Sequence, residues 1–178
     1  MNLKTFEPVN LTPIMNTAYL LIGGNLGNRS AYLQEAIHEI EQSCGNIVHS
    51  SAIYETAAWG LTDQPSFYNQ ALAVQTELAP EALMRQLLRI EEKMGRKRTL
   101  KMGPRIIDLD ILLIDGLVIA TGLLTLPHPA LPDRKFALLP LNEIAPALLH
   151  PVLHKTIQQL LAECTDELNV QKKSSSTT

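Results

Sequence analysis

Aromatic side chains are scarce in this 178-residue chain, at 4% of positions with a single Trp. That is too few for a platform on which nucleic-acid bases stack. Charge of one sign is lacking too: the formal net charge is −3, so no broad basic face for a polyanion is expected. Cysteine occurs twice, at Cys44 and Cys164, with no C-x-x-C spacing. The pair therefore suggests neither a zinc site nor a disulfide framework, and reads as two reduced thiols in a cytoplasmic protein. No apolar run approaches the length of a membrane span, and residues 1–15 carry neither a long apolar run nor an Arg, so no secretory or transit signal is expected. What is present is a 46% apolar composition over a length that suits one globular domain with a substantial core.

The hydrophobic patterning divides the chain cleanly. Residues 1–15 have no periodicity and read as a flexible extension, and residues 166–178 read as a flexible tail ending in Ser and Thr. Between them, 17–22 is a compact apolar run expected as a buried strand ending at Gly23 and Gly24. Leu33, Ala36, Ile37, Ile40 and Cys44 then fall at helical spacing, with Gly45 as a stop. A strand over 46–56, a loop, and a strand over 67–78 follow. Pro80 opens a second helix with Leu83, Leu87, Ile90 and Met94 on one face and Gly95 at its end. The strand at 108–114 completes the order β-α-β-β-α-β. That order predicts an α+β fold of ferredoxin-like type, an antiparallel sheet with helices on one face. A short strand at 117–120, a Pro-rich loop at 126–132, and helices near 136–141 and 155–164 are expected beyond it.

The densest chemistry lies at 103–114, where G-P-R-I-I-D-L-D-I-L-L runs into a strand. Alternation along a strand puts Asp108 and Asp110 on one face, with Leu109, Ile111 and Leu113 turned to a core. Two carboxylates so close repel each other, and burying either unpaired is costly. A cation is therefore expected above them: Arg105, or a hard divalent ion such as Mg²⁺ bound together with substrate phosphates. Most D-x-D pairs are solvated strand ends. This one stands beside Gly-Pro-Arg and the basic run at 96–101, which together could hold a polyphosphate and its metal. The turn G-N-L-G-N-R at 24–29 follows a strand but lacks both the P-loop ending and the full dinucleotide fingerprint, so it reads as a tight connection. His128, between Pro127 and Pro129, sits on a stiff loop that suits a positioned hydrogen-bond donor or cation.

Taken together, G-N-L-G-N-R at 24–29, Y-E-T at 54–56 with W-G at 59–60 and D-Q-P at 63–65, the G-P-R-x-x-D-L-D string and L-P-H-P at 126–129 resemble one family closely. That family is 6-hydroxymethyl-7,8-dihydropterin pyrophosphokinase, and the resemblance covers residues 17–151. It implies transfer of the terminal pyrophosphoryl group of ATP to the pterin hydroxymethyl oxygen, with release of AMP, in folate biosynthesis. It implies two Mg²⁺ ions on Asp108 and Asp110, and Arg96 and Arg105 as catalytic cations beside those carboxylates. Among ATP contacts it implies Glu91, Arg96, Arg105, Ile111, His128 and Arg134. On the pterin side it implies Thr56, Ala57 and Trp59 at the ring edge. Asn69 would read the ring's donors and acceptors, Phe67 and Phe136 would sandwich it, and Asp108 would stand close by. The catalytic domain is then expected over 16–165, acting as a cytoplasmic monomer on small-molecule substrates, with no nucleic-acid or membrane partner.

The sequence departs from the family pattern in places. Met102 stands where Trp is usual before Gly-Pro-Arg, Ala57 and Ala58 stand where prolines are common, Gly24 replaces a usual Ser, and 98–103 is about a residue short. A binding paralogue without turnover would be supported by Met102 alone. An RNA-binding module of the same element order would need exposed strand aromatics and a basic face, which the composition denies. The like charges of 96–101 predict a loop that is mobile without ligands.

Overall fold

The computed structural model describes residues 14–58, 63–96 and 103–174. The expectations for Trp59, Met102 and the rest of the basic run beyond Arg96, and for most of the N-terminal extension, lie outside the described residues. In chain order the elements are β1 (Asn16–Gly24), α1 (Arg29–Ser43), β2 (Asn46–Ser50), β3 (Tyr54–Thr56), β4 (Phe67–Thr76) and α2 (Pro80–Lys93). There follow β5 (Asp108–Ile114), β6 (Ile119–Ala120), β7 (Thr125–Leu126), α3 (Lys135–Ile144), α4 (Ile157–Glu163) and β8 (Val170–Lys172). No helix among the described residues is long and apolar enough to cross a membrane.

The main sheet runs β5-β1-β4-β3-β8, with β2 also paired to β4, and among the described residues all of these pairings are antiparallel. β1 is an interior strand between β5 and β4 and carries the compact apolar run, because both of its faces are covered. Ala18, Leu20 and Ile22 enter one core with Leu72, Val74, Leu87 and Ile90, beneath α1 and α2. Leu21 enters a second core with Ala71, Leu138, Leu141, Ile157 and Leu160, beneath α3 and α4. Helices thus cover both faces of the sheet, where the β-α-β-β-α-β order alone placed them on one. The added helices of the second half close the other face.

Three further differences from the sequence reading have local causes. The strand expected across 46–56 is two strands: Ser51 Oγ accepts from Ala71 N, and β2 and β3 pair with different stretches of β4. Leu113 does not share a face with Leu109 and Ile111. The β1–β5 register shifts between Tyr19 and Leu20, so Leu113 opposes Tyr19 while Ile111 opposes Leu20. One residue more on β5 than on β1 turns the alternation over, and Leu113 joins the α3/α4 core. The described part of the expected tail is also different, since Val170–Lys172 pair with Thr56, Glu55 and Tyr54 as an outer strand. The helix expected at 155–164 forms as α4, entered through a capping box between Thr156 and Gln159. β6 and β7 make a separate two-stranded ribbon.

Candidate active site

The site lies on the α3 side of the sheet, at the end where β1 finishes in glycines. Two of those glycines are required by close approach. A Cβ on Gly23 would stand 2.4 Å from Asn69 Oδ1, and one on Gly24 would stand 2.2 Å from the Ile106 carbonyl oxygen. Without side chains there, β1 lets Asn69 from β4 and the 103–107 segment before β5 close over its end. The Ser usual at position 24 does not fit this approach.

Around that end one cleft is lined by Thr56, Ala57, Phe67 and Asn69 on one side and by Arg105, Asp108 and Asp110 on the other. Arg134 and Phe136 close it from the start of α3, and Leu21 and Gly23 form its floor. The structure therefore brings nine of the expected residues into one cavity, although they come from four separate parts of the chain. Asn69 is buried and donates from Nδ2 to Thr56 Oγ1 at 3.1 Å, which orients its amide. The two aromatic rings each carry a cation: Arg105 lies 5.1 Å from the Phe67 centroid and Arg134 lies 5.7 Å from that of Phe136.

The carboxylates are not left bare. Asp108 Oδ2 pairs with Arg105 Nη2 at 2.8 Å, and Asp108 Oδ1 pairs with Arg96 Nη1 at 2.5 Å. Arg96 also pairs with Glu91 at 2.6 Å, and Glu91 Oε1 accepts from Leu109 N at 2.8 Å. Burial works against the Arg96 charge, but Asp108 and Glu91 outweigh it and hold the guanidinium protonated. Asp110 is deeply set, and its titration is shifted. Burial first, and then the Asp108 charge, push its carboxyl up to about 7, with Arg134 and Arg105 pulling the other way.

Other expected residues lie beyond this cleft. Glu91 and Arg96 line a neighbouring depression with Met84, Leu88, Glu92 and Leu123. His128 lies in an apolar groove with Val118, Leu126 and Val152. Its backbone N–H donates to Leu112 O, which fastens the Pro-flanked loop to β5. Burial and the Arg134 charge lower its pKa, and its Nδ1 accepts from Ala130 N at 3.2 Å. With Nδ1 accepting, the ring hydrogen of the neutral form is assigned to Nε2. Ile111 does not reach the cleft with its side chain. It is 2% exposed within the α1/α2 core, because alternation sends it away from Asp110.

Sequence reasoning assigned no ligand to Asn25, which the structure makes a bridge. Asn25, itself buried, exchanges both backbone–backbone and side-chain bonds with Arg105, through Asn25 N to Arg105 O and Arg105 N to Asn25 Oδ1. Its Nδ2 donates to Gln64 Oε1 and Pro65 O, both at 3.0 Å. The G-N-L-G-N-R turn thus ties the segment carrying Arg105 to the one leading into β4. An Asn after paired glycines was the available signal, but nothing local names its distant partners.

No three His, Cys, Asp or Glu side chains among the described residues converge as a metal site. The acidic pair itself suits a hard cation that takes its remaining ligands from phosphate oxygens and water.

Residues 19–146 match the model of the family described as 7,8-dihydro-6-hydroxymethylpterin-pyrophosphokinase. Among curated relatives, the 2-amino-4-hydroxy-6-hydroxymethyldihydropteridine pyrophosphokinase of Aquifex aeolicus is 41% identical over 151 residues, 85% of this chain and 94% of that protein. The protein of the same name from Methylorubrum extorquens is 41% identical over 150 residues, 84% of this chain and 94% of its own length. Among solved structures, an HPPK-DHPS chain of Plasmodium falciparum superposes with a TM-score of 0.72 at 19% identity. It covers 86% of this chain, while this chain spans 46% of that one, a likeness of fold. The chain belongs to the hydroxymethyldihydropterin pyrophosphokinase family.

Proposed function

We infer that this chain transfers the pyrophosphoryl group of ATP to the hydroxymethyl group of 6-hydroxymethyl-7,8-dihydropterin, giving the pterin diphosphate and AMP in folate biosynthesis. Family membership supports the reaction. The observation that carries it to particular residues is the single cleft in which Asp108, Asp110 and Arg105 face Asn69, Phe67 and Phe136. One end of that cleft suits a flat heteroaromatic ring with donors and acceptors at its edge, and the other suits phosphate and a cation.

In the transfer, the pterin hydroxymethyl oxygen bonds to the β-phosphorus of ATP. The bond from that phosphorus to the α–β bridging oxygen breaks, AMP leaves with the oxygen, and the hydroxyl proton is released. Such chemistry is governed by positioning and charge neutralisation. Phe67 and Phe136 hold the ring, with Arg105 and Arg134 displaced from their faces when it enters. Asn69, oriented by Thr56, reads the ring edge together with Ala57, and Trp59, which lies outside the described residues, keeps the ring-edge role that the family resemblance implies. Arg96, Arg105 and Arg134 pass from carboxylates and rings to the triphosphate, and His128 donates to it from Nε2. Glu91 holds Arg96 at the ATP side. Asp108 and Asp110 are the residues that would hold two Mg²⁺ ions, which when bound neutralise triphosphate charge and orient the phosphorus for attack.

The catalytic domain is read as 16–165. The order β5-β1-β4 with β2 and β3 beyond supports a ferredoxin-like core, since α1 crosses from β1 to β2 over β4 and α2 crosses from β4 to β5 over β1, one strand lying between in each case. We read the protein as a cytoplasmic monomer. The test is AMP formation from ATP and hydroxymethyldihydropterin with Mg²⁺. Binding of both substrates without AMP release overturns the enzyme reading.

A further inference from the structure

Segment 166–173 lies beyond the family-matched residues 19–146, yet it makes polar contacts to elements that wall the pterin side of the cleft. At one end Asp166 Oδ2 accepts from Lys135 N at 3.0 Å, at the start of α3 and next to Phe136. At the other, β8 pairs along β3, with Val170 opposite Thr56 and Lys172 opposite Tyr54. Lys173 N donates to Ile53 O at 2.8 Å and extends the ladder.

Successive side chains of an extended chain leave opposite faces of a sheet. Lys172 goes to the α3 face, where its Nζ meets Glu143 Oε1 at 3.2 Å. Glu143 also accepts from Tyr54 OH at 2.6 Å and Ala52 N at 3.2 Å, so one carboxylate joins α3, the residues entering β3, and β8. Lys173 goes to the other face, where its Nζ donates to Tyr68 OH and lies 4.3 Å from that ring's centroid. Arg29 packs on the same ring at 3.7 Å and donates to Glu55, Ser66 O and Ser66 Oγ. These residues flank both ends of the 57–66 connection. β3 is three residues long and carries Thr56, the hydrogen-bond partner of Asn69. Without β8 it would be an edge strand held by β4 alone.

We propose that segment 166–173 is a clasp that positions the pterin-binding wall: β3 with Thr56, and the start of α3 with Phe136. Its residues touch no substrate and act as positioning residues. The proposal rests on the pterin reading of the cleft. The Lys172–Glu143 pair is solvent-exposed, the Asp166 and Lys173 ties are part-buried, and each is modest by itself. Together they set the separation of Thr56 and Phe136, so their loss reads out on one substrate and not the other.

The experiment uses the full chain carrying Asp166→Ala, Lys172→Met and Lys173→Met together, beside Asp166→Asn, Lys172→Arg and Lys173→Arg together. The first variant is expected to raise the KM for the pterin about five- to tenfold, with the KM for ATP and kcat within about twofold. The second is expected to return the pterin KM to within about twofold of the unsubstituted protein. Equilibrium titration with the pterin in the presence of a non-transferable ATP analogue should show the same loss without turnover. Amide exchange should quicken at Glu55 and Thr56 and stay unchanged in β1. An unaltered pterin KM, or a fall in kcat and both substrate affinities in parallel with Tm, overturns the clasp. If the unsubstituted protein binds the pterin but releases no AMP, the transferase reading fails while the titration still decides the clasp.

Discussion

The two faces of the sheet are built from the same strands and have opposite fates. Beneath α1 and α2, Ala18, Leu20, Ile22, Leu72, Leu109 and Ile111 form an apolar layer in which each is at most 2% exposed. Beneath α3 and α4 the layer is apolar at one end, around Leu21, Leu112 and Leu138, and polar at the other, around Asn69, Asp108 and Asp110. Adjacent residues on one strand therefore do different work: Leu109 and Ile111 hold the fold together, while Asp108 engages Arg96 and Arg105 and the Asp110 carboxyl is buried at a cost. A like-charged, partly desolvated pair is tolerated because the opposite face supplies the stability it costs.

The sharpest way to break this contrast is to substitute across it. Asp108→Ala or Asp110→Ala should lower AMP formation by about 10³-fold or more while leaving Tm within a few degrees or raising it. A variant that keeps near-normal rates at saturating Mg²⁺ would remove that carboxylate from the metal assignment. On the opposite face, Leu72→Ala should cost about 3 kcal/mol and lower Tm by roughly 6–12 °C, with the rate per folded molecule unchanged. Denaturant titration against AMP release separates the two effects. An Asn69→Ala variant should raise the KM for the pterin about tenfold and leave that for ATP alone. An equal rise in both would take Asn69 out of pterin recognition.

A smaller effect is readable without substrates. The folded-state pKa of Asp110 is raised to about 7, above its value in the unfolded chain. The folded state therefore binds the proton more tightly, and this group's contribution to stability is fully present below about pH 4. It is lost as pH rises through about 7. Asp110→Asn should flatten the corresponding fall in Tm between about pH 4 and 7, measured as the difference from the unsubstituted protein so that other groups cancel. An identical slope in both proteins would contradict the raised pKa of Asp110, which burial first and the Asp108 charge second produce. The smallest expected change is Tyr54→Phe, which removes the bond to Glu143 and should cost about 1 kcal/mol by thermal unfolding.

The parts of the fold legible in the sequence were those with local causes. The helical spacing of Leu83, Leu87 and Ile90, with Pro80 opening and Gly95 ending the helix, located α2 to within a turn. The D-x-D alternation placed both carboxylates on one face. Less legible were features that need two distant segments at once. The extra residue of β5 relative to β1 is invisible in either strand alone, yet it moves Leu113 from one core to the other. Nothing in the polar, lysine-ending stretch around 170–172 suggests a strand, because its partner is β3, more than a hundred residues earlier.

By itself the sequence determined the order of elements as far as β5, apart from the break that separates β2 from β3, the presence of the acidic pair on one strand face and, through its motifs, the family and reaction. Those follow from period, turn chemistry and residue type, which act over a few positions. Only the tertiary structure decided that helices cover both faces, that Arg96 and Arg105 hold the two oxygens of Asp108, and that Asn25 ties Arg105 to Pro65. It also decided that the last described strand pairs along β3, with Val170 opposite Thr56. Each of these depends on which surfaces meet once the chain closes on itself. Burial and hydrogen bonding settle that over the whole molecule, so no short stretch of sequence carries it.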